Sequence, residues 1–227
     1  MKKLFAVLCL AVVSLPALAE DGRAAISSRV EAARMVLTEI MDAPDQAVPS
    51  YLMGQAKCVG VFPSLKKAAF LVGAEYGQGV VSCRTDHGWS APAFIQITGG
   101  SFGFQIGGQA IDLVLIAVND RGFQDLLKNK FKIGGDASAA AGPVGRDSAA
   151  ATDWKMNAEL LTYSRAKGLF AGVDLTGAVV NQNVDATRTF YGTAYPFDQL
   201  LKGQVVVPPD AAPFVRTVAK YFVQANK

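Results

Sequence analysis

From Ile26 the apolar positions recur at Ile26, Val30, Ala33, Leu37 and Ile40, with Arg29, Glu31, Arg34 and Glu39 on other faces. Steps of three and four residues predict one amphipathic helix over 26–41, ended by Pro44 and Pro49. A short second helix is predicted over Ser50–Lys57. The texture then changes to period two. Cys58–Phe62, Ala69–Tyr76, Gly79–Arg84, Ala93–Thr98, Ser101–Gln109 and Ile111–Val118 read as strands separated by Gly or Pro clusters. Asn119–Lys130 reads as a helix with Phe123, Leu126 and Leu127 on its apolar side. Phe131–Ala141, Glu159–Ser164 and Leu169–Leu175 read as further strands, with Lys167 and Gly168 as a hairpin turn. A last helix is predicted from Asp210, its N-cap, to about Gln224, with Pro213 in the first turn and Phe214, Val218, Phe222 and Ala225 as its buried stripe.

Strands that follow one another without crossover helices argue against a parallel, doubly wound sheet. The expected class is α+β: a dominant, largely antiparallel, barrel-like sheet with an N-terminal helical segment and a C-terminal helix. Within it, Gly99–Gly108 alternates between a nearly bare face (Gly99, Ser101, Gly103, Gln105, Gly107) and a bulky one with Phe102, Phe104 and Ile106. A strand bare on one side admits a close neighbour. A packed helix and a bound ligand both fit that expectation.

The first residues change the picture. Lys2 and Lys3 precede the apolar run Leu4–Val13, and Pro16 and Ala17-Leu18-Ala19 follow. This is the layout of a secretory signal peptide cleaved after Ala19. Cys9 lies inside the run behind Leu8, which does not suit a lipidated cysteine. The remaining chain, 20–227, is read as one domain with its core at about 26–180 and a C-terminal helical extension, placed in the periplasm or elsewhere outside the cytoplasm. Without Lys2 and Lys3 it carries 20 Lys and Arg against 19 Asp and Glu. A net charge of +1 is not the balance of a nucleic-acid-binding protein. The tightest basic group is Lys128, Lys130 and Lys132, which fits a solvated patch or a headgroup contact. Export implies an oxidising compartment. Cys58 and Cys83, on strands of one sheet region, are predicted to form a disulfide worth roughly 3 kcal/mol.

The motifs that suggest catalysis do not survive their context. Gly99-Gly100-Ser101-Phe102-Gly103 matches G-x-S-x-G, but the strand pattern runs on through Ser101 where a helix should begin, and the single His87 precedes the Ser. Ser64-Leu65-Lys66-Lys67 matches S-x-x-K without its companion motifs; Pro63 makes it a turn that displays two ammonium groups. Asp136, Asp147 and Asp153 lack the spacing of a calcium loop. No metal and no cofactor is expected.

Several stretches resemble the SYLF lipid-binding domain family: Ala56–Ser64 with Lys66–Phe70, Gly73–Val80, Trp89–Ala93 running into Gly99–Gly107, Gly134–Ser138, and Ser164–Gly172. The resemblance implies a lipid-binding module without catalysis. Eukaryotic relatives are associated with phosphoinositide membranes through an N-terminal amphipathic helix and basic residues, and fungal relatives with actin filaments. The matching positions are the helix at Ile26–Met41 with Arg29 and Arg34, and Lys57, Lys66 and Lys67. Export makes actin and phosphoinositides poor candidates and an anionic phospholipid or an envelope component better ones. The expected function is therefore binding of an anionic membrane surface in the cell envelope through Arg23, Arg29, Arg34, Lys57, Lys66, Lys67, Lys128, Lys130 and Lys132. The alternative is an envelope structural or protein-interaction module. The helix stripe suits a lipid interface or the sheet equally.

Overall fold

The computed structural model describes residues 22–43, 48–142, 158–166, 169–170 and 175–223, with side chains for all of these except 69–72, 101–107, 166 and 169–170. The expected signal peptide, Cys9, Pro44, Asp147, Asp153, the expected turn at Lys167-Gly168 and Ala225 lie outside the described residues.

Two strands dominate. β1 spans Cys58–Thr85 and β3 spans Ala93–Ala117, 28 and 25 residues long. They form one antiparallel ribbon from Cys58↔Ala117 to Val81↔Ala93, with β2 (Gly88–Trp89) beside the turn. The six short strands read from the sequence over this region are thus two long ones. The Gly clusters are not breaks, and Ser64–Lys67 is not a turn. The register slips between Phe62 and Leu65 instead, with Ser64 at φ +55° and its amide donating to Asp112 Oδ1 at 3.0 Å. One inserted residue bends the strand without ending it.

β1 doubles back on itself. Cys58 is disulfide-bonded to Cys83, and the Arg84 amide donates to the Lys57 carbonyl at 2.7 Å. A Cβ on Gly79 would lie 2.7 Å from Phe62 Cδ1 and nearer still to the Val61 carbonyl, and one on Gly77 would meet Leu65 at 3.4 Å or less. Lys67 Nζ lies 2.8 Å from Glu75 Oε2. These contacts advance in step from the two ends of β1 toward a crest near Leu71. Gly77 and Gly79 are needed because the other arm occupies the place of a side chain.

β3 extends this ribbon at both ends. Its last residues, Asp112–Ala117, pair with β6 (Leu160–Ala166), and Ile95–Thr98 pair with β8 (Val179–Gln182). β4 (Lys130–Lys132) joins β8, β7 (Leu169–Phe170) pairs antiparallel with β6, and β5 (Ala139–Ala141) pairs parallel with β6. The result, among the described residues, is a curled half-barrel of eight strands whose pairings are antiparallel but for that one.

Both faces of the curl are buried. Val59, Val61, Val80, Val114, Ile116 and Leu161 belong to one core cluster, with α1 (Gly22–Met41) and the C-terminal α6 (Ala212–Tyr221). Cys58, Phe62, Val81, Cys83, Leu113 and Leu115 belong to the other, with α3 (Asp120–Leu127) and α5 (Phe197–Leu201). The helix stripe expected from the sequence is buried at every position, and Val36 and Met41 join it. α2 (Ser50–Gln55) follows α1 as expected. α6 is a wall of the core, with Phe214, Val218 and Phe222 at most 1% exposed. Asp210 is not its N-cap; it lies in a 3₁₀ turn at Pro209–Ala211 and pairs with Arg23. α4 (Val184–Tyr191), α5 and β8 have no counterpart in the sequence reading.

Arg84 ties these layers together. Its Nε donates to the Ala56 carbonyl at 3.0 Å, and its Nη2 to Phe222 at 2.9 Å and Met53 at 3.4 Å. Its guanidinium also stands 4.8 Å from the Trp89 ring. The cation therefore serves the C-terminal ends of α2 and α6, where carbonyls lack helical partners and the dipole is negative. Burial lowers its pKa.

Two outcomes follow. Cys58→Ala/Cys83→Ala should lose about 3 kcal/mol of stability in urea unfolding, and titration of the denatured, unreduced wild-type chain should find neither of these thiols free. Arg84→Met should cost about 2 kcal/mol in the same assay, because three buried acceptors lose one charged donor.

Candidate functional site: a half-buried arginine beside the ribbon crest

The nine basic residues expected to bind lipid do not form one patch, and most are already neutralised. Arg23 pairs with Asp210 at 2.9 Å, donates to the Phe190 carbonyl and lies 5.0 Å from the Phe190 ring. Arg34 holds Glu31 bidentately, which raises the arginine pKa and lowers that of the carboxylate. Lys57 faces Asp120 at 3.1 Å, Lys67 faces Glu75, and Lys128 faces Asp125 at 2.6 Å with its pKa raised by that hydrogen bond. Exposed pairs of this kind contribute roughly 0–1 kcal/mol each to stability. Their larger effect here is to cancel charge. Lys130 and Lys132 are exposed on β4, beyond β8.

Arg29, Lys66, Lys130 and Lys132 have no carboxylate partner among the described residues, and of these only Arg29 is partly buried. Arg29 lies on α1, half-buried; its Nη1 is buried and has no hydrogen-bond partner among the described residues. Desolvation lowers its pKa, partly opposed by Tyr76. A buried guanidinium N–H without an acceptor is costly. Lys66 is exposed one position before Lys67. Lys67 opposes Glu75 and Leu65 opposes Gly77 across the doubled strand, so Lys66 opposes Tyr76, whose side chain is 47% exposed. Lys66 and Tyr76 thus stand across from each other below the crest, and the Tyr76 hydroxyl is the group that acts electrostatically on Arg29. Tyr76 was missed in the sequence, where the only signal was a large aromatic in a glycine-rich ribbon.

Of the bare face of Gly99–Gly108 only Gly99 has described surroundings, and a Cβ there would strike the Glu75 side chain rather than a helix. Gly99 therefore makes room for the Lys67–Glu75 pair.

The residues of the motifs weighed for catalysis are not brought together among the described residues. Ser101 lies within β3. His87 is exposed in the β1–β2 turn, its amide on Thr85 Oγ1. Among the described residues no group of three His, Cys, Asp or Glu could hold a metal, and no helix is long and apolar enough to cross a membrane. A cavity of about 370 Å³ opens between Arg23, Phe190, Tyr191, Tyr195, Val206 and Pro208. Its one cation is the paired Arg23, so it is chiefly an aromatic recess. The Tyr191 hydroxyl donates out of it to the Pro92 carbonyl at 2.7 Å, and burial raises its pKa.

Comparison with known proteins agrees with the family resemblance. Residues 98–221 match the family described as "Ysc84: Las17-binding protein actin regulator". The chain is 35% identical over 176 residues to protein YSC84 of Saccharomyces cerevisiae, covering 76% of this chain and 37% of that protein. It is 34% identical over 193 residues to the SH3 domain-containing YSC84-like protein 1 of Rattus norvegicus, covering 82% and 56%. To the protein of the same name from Homo sapiens it is 35% identical over 173 residues, covering 73% and 50%. The chain thus spans about half or less of the length of these relatives. With more than half of its residues inside the family match, the chain belongs to the Ysc84 family.

Proposed function

We propose that this protein is a non-catalytic binding module of the cell envelope, exported through residues 1–19, that docks as a folded body onto an anionic phospholipid surface. The observation that carries the reading is the Arg29–Lys66 pair: two cations without carboxylate partners among the described residues, beside an exposed Tyr76. Lipid phosphates are charged acceptors for Lys66 and for the part of the Arg29 guanidinium that the core leaves accessible. A tyrosine with an apolar body and polar tip suits the same boundary. The Cys58–Cys83 disulfide fits an oxidising compartment.

The mode differs from insertion of an amphipathic helix. Lifting α1 into lipid would rebury its own stripe but leave Val59, Val61, Val114 and Ile116 in water. At about 1.5–3 kcal/mol per side chain, that leaves several kcal/mol uncompensated. Docking through exposed cations avoids this cost.

A second reading, a protein-binding module, is favoured by the family description, which names a protein ligand and a regulatory role, and by the aromatic recess at Tyr191 and Tyr195. Stoichiometric capture of one envelope protein, without vesicle binding, would select it.

Co-sedimentation with phosphatidylglycerol-containing vesicles at low salt tests the first reading. Arg29→Gln/Lys66→Gln should weaken binding roughly 30-fold, at about 1 kcal/mol per cation. Lys130→Gln/Lys132→Gln should change it less than about twofold. Equal losses in the two double variants would mean that only net charge matters.

A further inference from the structure

The ribbon crest leaves the body of the domain. β3 pairs with β8 only as far as Thr98 and with β6 only from Asp112. Between Gly99 and Ile111 its one described strand partner is β1. Of the described residues flanking the crest, Ala68, Ala74, Gly100, Gly108, Gln109 and Ala110 are exposed, while Gly73 is buried. In sequence the two arms read AAFLVGA over 68–74 and GGSFGFQIGGQAI over 99–111, without Asp, Glu, Lys or Arg. Phe70 pairs with Ile106 and Val72 with Phe102, so the apolar residue types are concentrated at the turn-over point. Charge returns at the base, with Lys66, the Lys67–Glu75 pair and Arg29. An uncharged apolar extremity above unpaired cations is not an arrangement that solubility favours.

We propose that the crest is a wedge that enters the outer part of an anionic bilayer while Arg29 and Lys66 hold phosphates at its base. This rests on the membrane-surface reading above and names the element that inserts. The order of chemistry along the crest, apolar tip then cations, matches the order in a bilayer, acyl boundary then phosphate plane. The reach also fits. Four steps from Lys67 to Leu71 at about 3.3 Å each span at most roughly 13 Å. Elements that lie in the interface place their apolar parts roughly 5–10 Å into it. The ribbon's outer edges have backbone N–H and C=O groups without a described strand partner, which holds the wedge at headgroup depth.

The test attaches an environment-sensitive fluorophore to Ala74→Cys, Gln109→Cys or, as control, Lys130→Cys, each in the full chain with Cys9→Ser. Vesicles of phosphatidylcholine with or without phosphatidylglycerol are added at low salt. Blue shifts at 74 and 109 but not at 130, only with phosphatidylglycerol, are expected. Leu71→Asp should bind at least tenfold more weakly with unchanged thermal melting; the labels decide the matter should that variant not fold. Vesicle binding without a shift at 74 and 109 overturns the wedge and leaves the membrane reading standing. Absence of binding removes both. A shift at the crest that needs no vesicles and grows with protein concentration overturns the wedge in favour of contact between copies.

Discussion

A strand of 28 residues would reach roughly 90 Å if straight, whereas a domain of about 200 residues has a radius of gyration near 17 Å. β1 must therefore turn back, and the rest of the molecule depends on how it does so. The disulfide joins its ends, Gly79 and Gly77 let the arms close, and Lys67–Glu75 is the last described contact before the crest. Only once the arms are side by side does β1 present Val61 and Val80 together on one face, as a floor for α1. The other face then collects Phe62, Val81 and both cysteines around the α5 contacts. The bulge at Ser64, held by Asp112, gives the strand its bend. Asp112 also meets Arg165, which pairs with Glu39, so the bend is linked to the last turns of α1.

The helices at the two chain ends were legible because a stripe at helical spacing identifies its buried face whatever it packs on. Val30, Leu37, Phe214 and Val218 needed no tertiary information. The sheet was half legible. Period two located strand residues, but glycine, which usually punctuates, is here a sign of close approach within continuous strands. Gly79 and Gly99 looked like ends and are contacts. α4 was missed although its signals were local: Asn183 caps the Ala186 amide, and Gly192 closes the helix at φ +75°. Arg84 was out of reach, since its acceptors are carbonyls, one of them 138 residues away.

The residues expected to bind lipid were named from charge and from the family resemblance, and neither could sort them. Arg23 is cancelled by Asp210 across 187 residues, and Lys57 by Asp120 across the sheet. What distinguishes Arg29 is the lack of an acceptor in a partly desolvated place, a property of packing rather than of composition. The same packing settles the helix. Its stripe serves the core, and the proposed recognition therefore uses what the core leaves outside: the crest and nearby cations.

The central claim is that α1 stays docked on the doubled ribbon while the protein binds. Hydrogen exchange of the full chain, with and without phosphatidylglycerol vesicles at low salt, tests it most directly. Amides of Val30–Ile40 should keep their protection on binding, with any change concentrated in 66–76 and 99–110. Loss of protection in β1 beneath α1, or in α1 relative to the free protein, would show that the helix lifts off and would contradict the account.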